Sequence, residues 1–175
     1  MARYQLKQRF LSLNECFEIS NEQNEVVYTL QGKFFSLGKQ FTLTNLVNGH
    51  QIKIQQKLLS FRPTFVVSQV DENDPNAVIG QQTRIIKTFF PLLKTRFLIQ
   101  SNGKELQVMG SFFSHEYEFF IRHSDHSREV IARVSKQWFS VSDTYGVDIY
   151  QSQYTPWILS YVIVIDAIHH ENGKG

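Results

Sequence analysis

A segment that recurs every 24 residues constrains this chain more than any other feature. Around Ser12, Ser36 and Ser60 the sequence reads RFLSLNECFEI, KFFSLGKQFTL and KLLSFRPTFVV, so Arg9 aligns with Lys33 and Lys57, and Phe17 with Phe41 and Phe65. Weaker copies follow in TFFPLLKTRFLI from Thr88, SFFSHEYEFFI from Ser111 and QWFSVSDTYGV from Gln137. The chain therefore reads as one domain over 1–175, made of two pseudo-repeat halves, 1–76 and 77–150, of three units each. Repetition of this kind fixes architecture and leaves chemistry open.

Inside each unit the apolar residues alternate. Tyr4, Leu6, Gln8 and Phe10 share one phase, and Tyr28, Leu30, Gly32 and Phe34 repeat it in the second unit. Ile52, Ile54, Gln56 and Leu58 do so in the third, then Leu106, Val108, Gly110 and Phe112, and finally Ala132, Val134, Lys136 and Trp138. Period two is the mark of a strand with one buried face. A second strand follows in each unit, with Phe17/Ile19, Phe41/Leu43, Phe65/Val67, Phe97/Ile99 and Phe119/Ile121 as its apolar pairs. Turn residues close the hairpins at Asn21 to Asn24, Asn48-Gly49, Asp71 to Asn76, Asn102-Gly103 and His123 to His126. Six units of two strands predict about twelve antiparallel strands.

The C-terminal segment breaks the pattern. Thr155 and Pro156 read as an N-cap and first helical position, and WILSYVIVIDAIHH is then apolar nearly all round, predicting a central helix over 156–170. Its β-branched residues keep a buried strand as a rival. A membrane span is the second rival, but about 14 helical residues reach roughly 21 Å against a hydrocarbon core of about 30 Å, and Asp166 and the paired histidines also oppose it. A twelve-stranded barrel leaves a lumen that its own side chains do not fill. The helix is the natural plug, with Trp157, Ile158, Tyr161, Val162, Ile165 and Ile168 as its core residues. The expected fold is thus mainly β: a closed antiparallel barrel of about twelve strands around a buried hydrophobic C-terminal α-helix.

With KFFSLGKQF, QKLLSFRP and the ending VIVIDAIHH, the chain resembles the LURP-one-related family over essentially its whole length. The resemblance implies the fold shared by the tubby C-terminal domain and phospholipid scramblases, a twelve-stranded barrel closed on a hydrophobic helix. It supplies no catalytic motif to transfer.

A formal net charge of +2 gives no bulk field favouring nucleic acid, so a basic site has to be a local patch. Arg9, Lys33 and Lys57 stand at equivalent outward positions of three successive units, and Lys7, Lys53 and Arg62 extend that stripe. Tubby domains bind phosphoinositide headgroups through basic residues, so the resemblance implies an anionic phospholipid or phosphoinositide as partner. The plain alternative is that these cations only solvate exposed strands. A protein-interaction or stress-response module with an unknown protein partner is the rival function. Phe35, Trp138 and Phe139 are its candidate aromatics, although their repetition assigns them to the core. A hydrolase assembled from distant residues is the third reading, since GxSxG, GxxxxGK[ST], GxGxxG and HExxH are all absent.

No cofactor or metal is expected. Asp71, Glu72 and Asp74 lack EF-hand spacing and read as a polar turn. His115, His123, Asp125 and His126 form no closed ligand pattern. The single cysteine, Cys16, excludes an intramolecular disulfide and reads as a tolerant position rather than a poised thiol. MARYQLKQRF lacks the apolar stretch of a secretion signal, which makes a cytoplasmic location, peripheral at a membrane, the expectation.

Overall fold

A computed structural model describes residues 1–9, 16–35, 38–71, 73–74, 77–88, 96–101, 104–111, 114–136 and 144–172. Twelve strands run in chain order: β1 (Ala2–Arg9), β2 (Cys16–Ser20), β3 (Val26–Phe35), β4 (Gly38–Asn45), β5 (Gln51–Lys57), β6 (Thr64–Val70), β7 (Val78–Thr88), β8 (Arg96–Ser101), β9 (Lys104–Ser111), β10 (Glu116–Arg122), β11 (Arg128–Ser135) and β12 (Thr144–Ile149). Each pairs antiparallel with its sequence neighbour, and β1 pairs with β12, from Ala2 opposite Ile149 to Lys7 opposite Thr144. The sheet is a closed barrel without an edge.

The inward phase is the one expected from alternation. Leu6, Leu30 and Ile54, at equivalent places of the first three units, are buried, as are Phe41, Phe65, Phe97 and Phe119 on the second strands. β7 and β12, for which no column stood out in the sequence, contribute Ile85, Tyr145 and Val147 to the same core. Several described positions depart from the columns: Gly110 is exposed, Tyr4, Gln56 and Leu106 are only partly buried, and three more have a visible cause. Leu58 is half exposed because β5 ends at Lys57 and the chain turns outward. Lys136 follows the end of β11, and its backbone N–H donates to Glu116 Oε1. Ile121 is only partly buried, because a bulge sets Phe119 opposite Ala132 but Phe120 opposite Val130 and shifts the phase of β10.

Gly110 is required by close approach. Its φ is +147°, and a Cβ there would lie 2.3 Å from the Glu116 carbonyl oxygen.

The C-terminal segment is a helix, α1 (Thr155–Asn172), entered through a 3-10 turn at Ser152–Tyr154. Thr155 is not the extended N-cap that the sequence suggested: its φ of −49° and ψ of −58° are already helical, and its N–H donates to the Ser152 carbonyl. Ile158, Tyr161, Val162, Ile165 and Ile168 are buried together with the inward residues of the wall, whereas Trp157 is only partly buried. Burial on every side is what an all-apolar helix demands, and a closed wall supplies it. No helix among the described residues is long and apolar enough to cross a membrane.

Because every connection joins neighbouring strands, the barrel has two distinct ends. The connections after β1, β3, β5, β7, β9 and β11 belong to one, here the repeat end, where the recurring segment falls; those after the even-numbered strands belong to the other, the turn end.

Candidate functional site

The register fixes how the repeated basic positions relate. Arg9 lies opposite Cys16, which lies opposite Gln31, two residues before Lys33. Lys33 lies opposite Gln40, which lies opposite Gln55, two residues before Lys57. Each equivalent position is thus two strands across and two residues along, a spacing of roughly 12 Å. This is the stagger of tilted barrel strands, so repeat-equivalent residues stand at one level around the wall. Lys53 shares the lateral row of Arg9 through Thr42, and Lys7 lies opposite Glu18. Lys57 and Arg62 are exposed and Lys53 is half-buried; the side chains of Lys7, Arg9 and Lys33 lie outside the described residues.

Charge divides along the barrel axis. Taken from the last residue of one strand to the first of the next, the segments at the repeat end, 9–16, 35–38, 57–64, 88–96, 111–116 and 135–144, contain by sequence Arg9, Lys57, Arg62, Lys94, Arg96 and Lys136 against Glu15, Glu116 and Asp143. The segments at the turn end, 20–26, 45–51, 70–78, 101–104, 122–128 and 149–155, contain Lys104, Arg122 and Arg128 against six Asp or Glu. The net +2 conceals this polarity. Two further cations in the adjoining strands are engaged within the fold: Lys87 is buried, and Lys39 donates through Nζ to the Ala167 carbonyl at 3.1 Å, near the C-terminal end of α1.

The 58–63 connection is the fullest view of the repeat end. Leu58, Leu59 and Phe61 have relative exposures of 52%, 104% and 109%, between Lys57 and Arg62. The base of this finger is anchored: the Thr64 hydroxyl donates to the Arg62 carbonyl at 2.9 Å, and the Lys87 N–H donates to the Pro63 carbonyl at 3.1 Å. Phe61 was not singled out by the repeat, because its column holds Leu in the earlier units and alternation carries no information beyond a strand end. Phe35, Trp138 and Phe139 belong to this end by sequence, but their side chains lie outside the described residues.

Beneath that end is a buried polar cluster. His115, in the β9–β10 connection with φ +53°, places Nε2 3.0 Å from Asp166 Oδ1 and stacks on Tyr145 with ring centroids 4.5 Å apart. Asp166 Oδ2, His115 Nδ1 and the Tyr145 hydroxyl are buried without a protein hydrogen bond among the described residues. Burial, and then the Asp166 charge, holds the Tyr117 and Tyr145 phenols well above their ordinary range. Sequence reasoning placed His115 with the other histidines and used Asp166 only against a membrane span. The available signal was an acidic residue inside an all-apolar helix, which has to find a partner.

The remaining candidates resolve into local structure. His123 pairs with Glu129 at 3.2 Å, and Asp125 accepts from the Ser127 N–H and hydroxyl, which lowers its carboxyl from the ordinary range. Both lie at the turn end, a strand length from His115, so the four candidate ligands do not converge. Asp71 Oδ1 accepts from the Asn73 N–H at 2.8 Å, as a polar turn requires; Glu72 lies outside the described residues. Cys16 sits in β2 opposite Arg9 and Gln31, with its side chain outside them too. No cluster of three or more metal-ligating side chains occurs among the described residues. A cleft of about 420 Å³ opens at the turn end between Tyr4, Tyr28, Asn48, His50 and Trp157, but Asn45 there bonds Tyr28 and the 45–48 turn, and Asn48 caps His50.

Residues 2–166 match the family model described as LURP-one-related. The chain belongs to the LURP-one-related family. An X-ray structure of a protein from Arabidopsis thaliana superposes with a TM-score of 0.64 at 14% identity, covering 95% of this chain and 91% of that one. At that identity the likeness concerns the fold alone. No curated protein matches the chain.

Proposed function

We propose that this LURP-one-related barrel is a non-catalytic module that docks its repeat end on an anionic membrane surface, with phospholipid or phosphoinositide headgroups as ligands. The observation that carries the reading is the axial charge polarity, six cationic against three acidic residues in the connections at one end of a barrel whose other end has three cationic against six acidic. Such a dipolar distribution orients the molecule toward an anionic plane, and each Lys or Arg near the surface contributes about 1 kcal/mol. Arg9, Lys33 and Lys57, level with one another on the wall, supply the most regular part of the patch. A protein partner with an acidic face is the rival.

The test is sedimentation with phosphatidylserine-containing and neutral vesicles at low and physiological salt. Binding to the anionic vesicles weakens with salt, and replacing Arg9, Lys33 and Lys57 together by Gln removes about 3 kcal/mol, more than a hundredfold in affinity. Equal sedimentation of the triple variant, or none of the native chain, removes the lipid reading.

A further inference from the structure

The finger at 58–61 adds something electrostatics does not explain. A membrane-docking surface made only of cations needs no apolar tip, and a chain that avoids membranes gains nothing by holding Leu59 and Phe61 entirely in water. We infer that this finger is an apolar membrane anchor: Leu58, Leu59 and Phe61 enter the boundary between headgroups and acyl chains while Lys57 and Arg62 stay at the phosphates. The inference rests on the docking reading above and specifies how the contact is made.

Two observations carry it. The apolar residues are bracketed on both sides by exposed cations, the order of charge and apolarity that an anionic interface presents from water inward. The finger is built rather than frayed, since Arg62 and Pro63 are tied to Thr64 and Lys87 at its base. In the sequence, apolar pairs recur at or just after the other strands that end there, with Phe10-Leu11, Phe34-Phe35, Phe89-Phe90, Phe112-Phe113 and Trp138-Phe139, but their side chains lie outside the described residues and only the finger carries the inference. The backbone positions of Arg9, Lys33 and Lys57 stand at one level around the barrel, so the cations beside the finger are spread along the wall rather than gathered at a single knob. A bilayer is planar, whereas a groove on a partner protein matches one projection.

Two variants of the full chain test this. A chain carrying Phe61→Trp is bound to phosphatidylserine/phosphatidylcholine vesicles whose acyl chains are brominated, and its tryptophan quenching is compared with that of the parent, which retains Trp138 and Trp157. Quenching beyond the parent's is expected on binding. The double variant L59S/F61S is expected to keep sedimenting with anionic vesicles at low salt but to bind at least tenfold more weakly at physiological salt, where the screening length is about 8 Å. If the parent binds while Phe61→Trp gains no quenching and the double variant matches the parent, the anchor is wrong and the electrostatic reading stands. If no chain sediments under any condition, both fail. If the double variant instead abolishes self-association in vesicle-free sedimentation without changing vesicle affinity, the finger's occupant is a second copy and the anchor is overturned.

Discussion

The two ends of the barrel solve the same problem, reversing a strand, in opposite ways. At the turn end the reversals satisfy themselves. Asn21, Asn45, Asp71 and Asp125 each open a turn and accept, through Oδ1, the N–H two residues on, at 2.8 to 3.0 Å. Asn24, Gly49 and His126 take the positive φ such turns need, at 62°, 77° and 65°. At the repeat end the 58–63 connection leaves Leu59 and Phe61 in water, and polar contacts hold only its base. A turn that satisfies its own groups requires nothing outside the chain; one that projects apolar side chains between two cations gains from a third phase. The difference is what makes the repeat end, rather than the turn end, the docking surface we propose.

Both ends hang from α1, and the largest effect comes from breaking it. Ile163 is buried in the middle of the helix, so Ile163→Asp places an uncompensated charge in the lumen. The expected outcome is loss of the cooperative thermal transition by circular dichroism. Truncation after Tyr154 should act likewise, since it leaves a twelve-stranded wall with no filling. A soluble variant with an unchanged melting temperature would refute the plug.

Alkaline pH probes both ends. Burial and the neighbouring Tyr4 push the Tyr28 phenol, at the turn end, up to about 12, and burial together with the Asp166 charge also holds Tyr117 and Tyr145 well above the ordinary range. A phenol whose folded pKa is raised stabilises the fold fully below its unfolded value near 10, and that contribution is lost as pH rises, because the unfolded chain releases the proton first. Each such tyrosine costs up to about 1.4 kcal/mol per pH unit above 10. The melting temperature should be flat from pH 7 to 9 and fall steeply beyond 10. In a tyrosinate absorbance titration none of the three should ionise near the ordinary value of about 10 while the chain stays folded. Ionisation of all three below pH 11 in a folded chain would contradict the burial.

Much of this was legible beforehand, for physical reasons that also explain the misses. Alternation and a strict repeat are properties of strands, so the wall, its strand number and the inward residues such as Leu30, Ile54 and Phe65 could be read directly. The helix followed from its unbroken apolarity. The signal stops where the strands stop. Leu58 was assigned to the core because alternation was extended one residue past Lys57, and Phe61 passed unnoticed because a loop residue has no period. The His115–Asp166 pair joins residues 51 apart across two elements, which no local pattern encodes. Arg9, Lys33 and Lys57 were legible as a stripe, but the axial sorting of charge needed the topology that assigns each connection to an end.

The smallest effects provide the most specific test of the two-ended view, because they separate what a turn does for stability from what it does for binding. Asn45→Ala removes the acceptor of the Val47 and Asn48 N–H groups and the donor to the Tyr28 hydroxyl. It should cost about 1 to 3 kcal/mol by urea denaturation with an unchanged m-value, and leave vesicle binding intact. L59S/F61S removes no burial and no hydrogen bond of the folded chain, so its stability should stay within about 0.5 kcal/mol of the parent while its binding weakens. The turn end supplies a matched control, since Leu46 and Val47 are also exposed but segment 45–51 carries no Lys or Arg. If apolar exposure alone drove adsorption, L46S/V47S would weaken vesicle binding as much as L59S/F61S. If the flanking cations decide which apolar tip meets the bilayer, only the repeat-end variant responds.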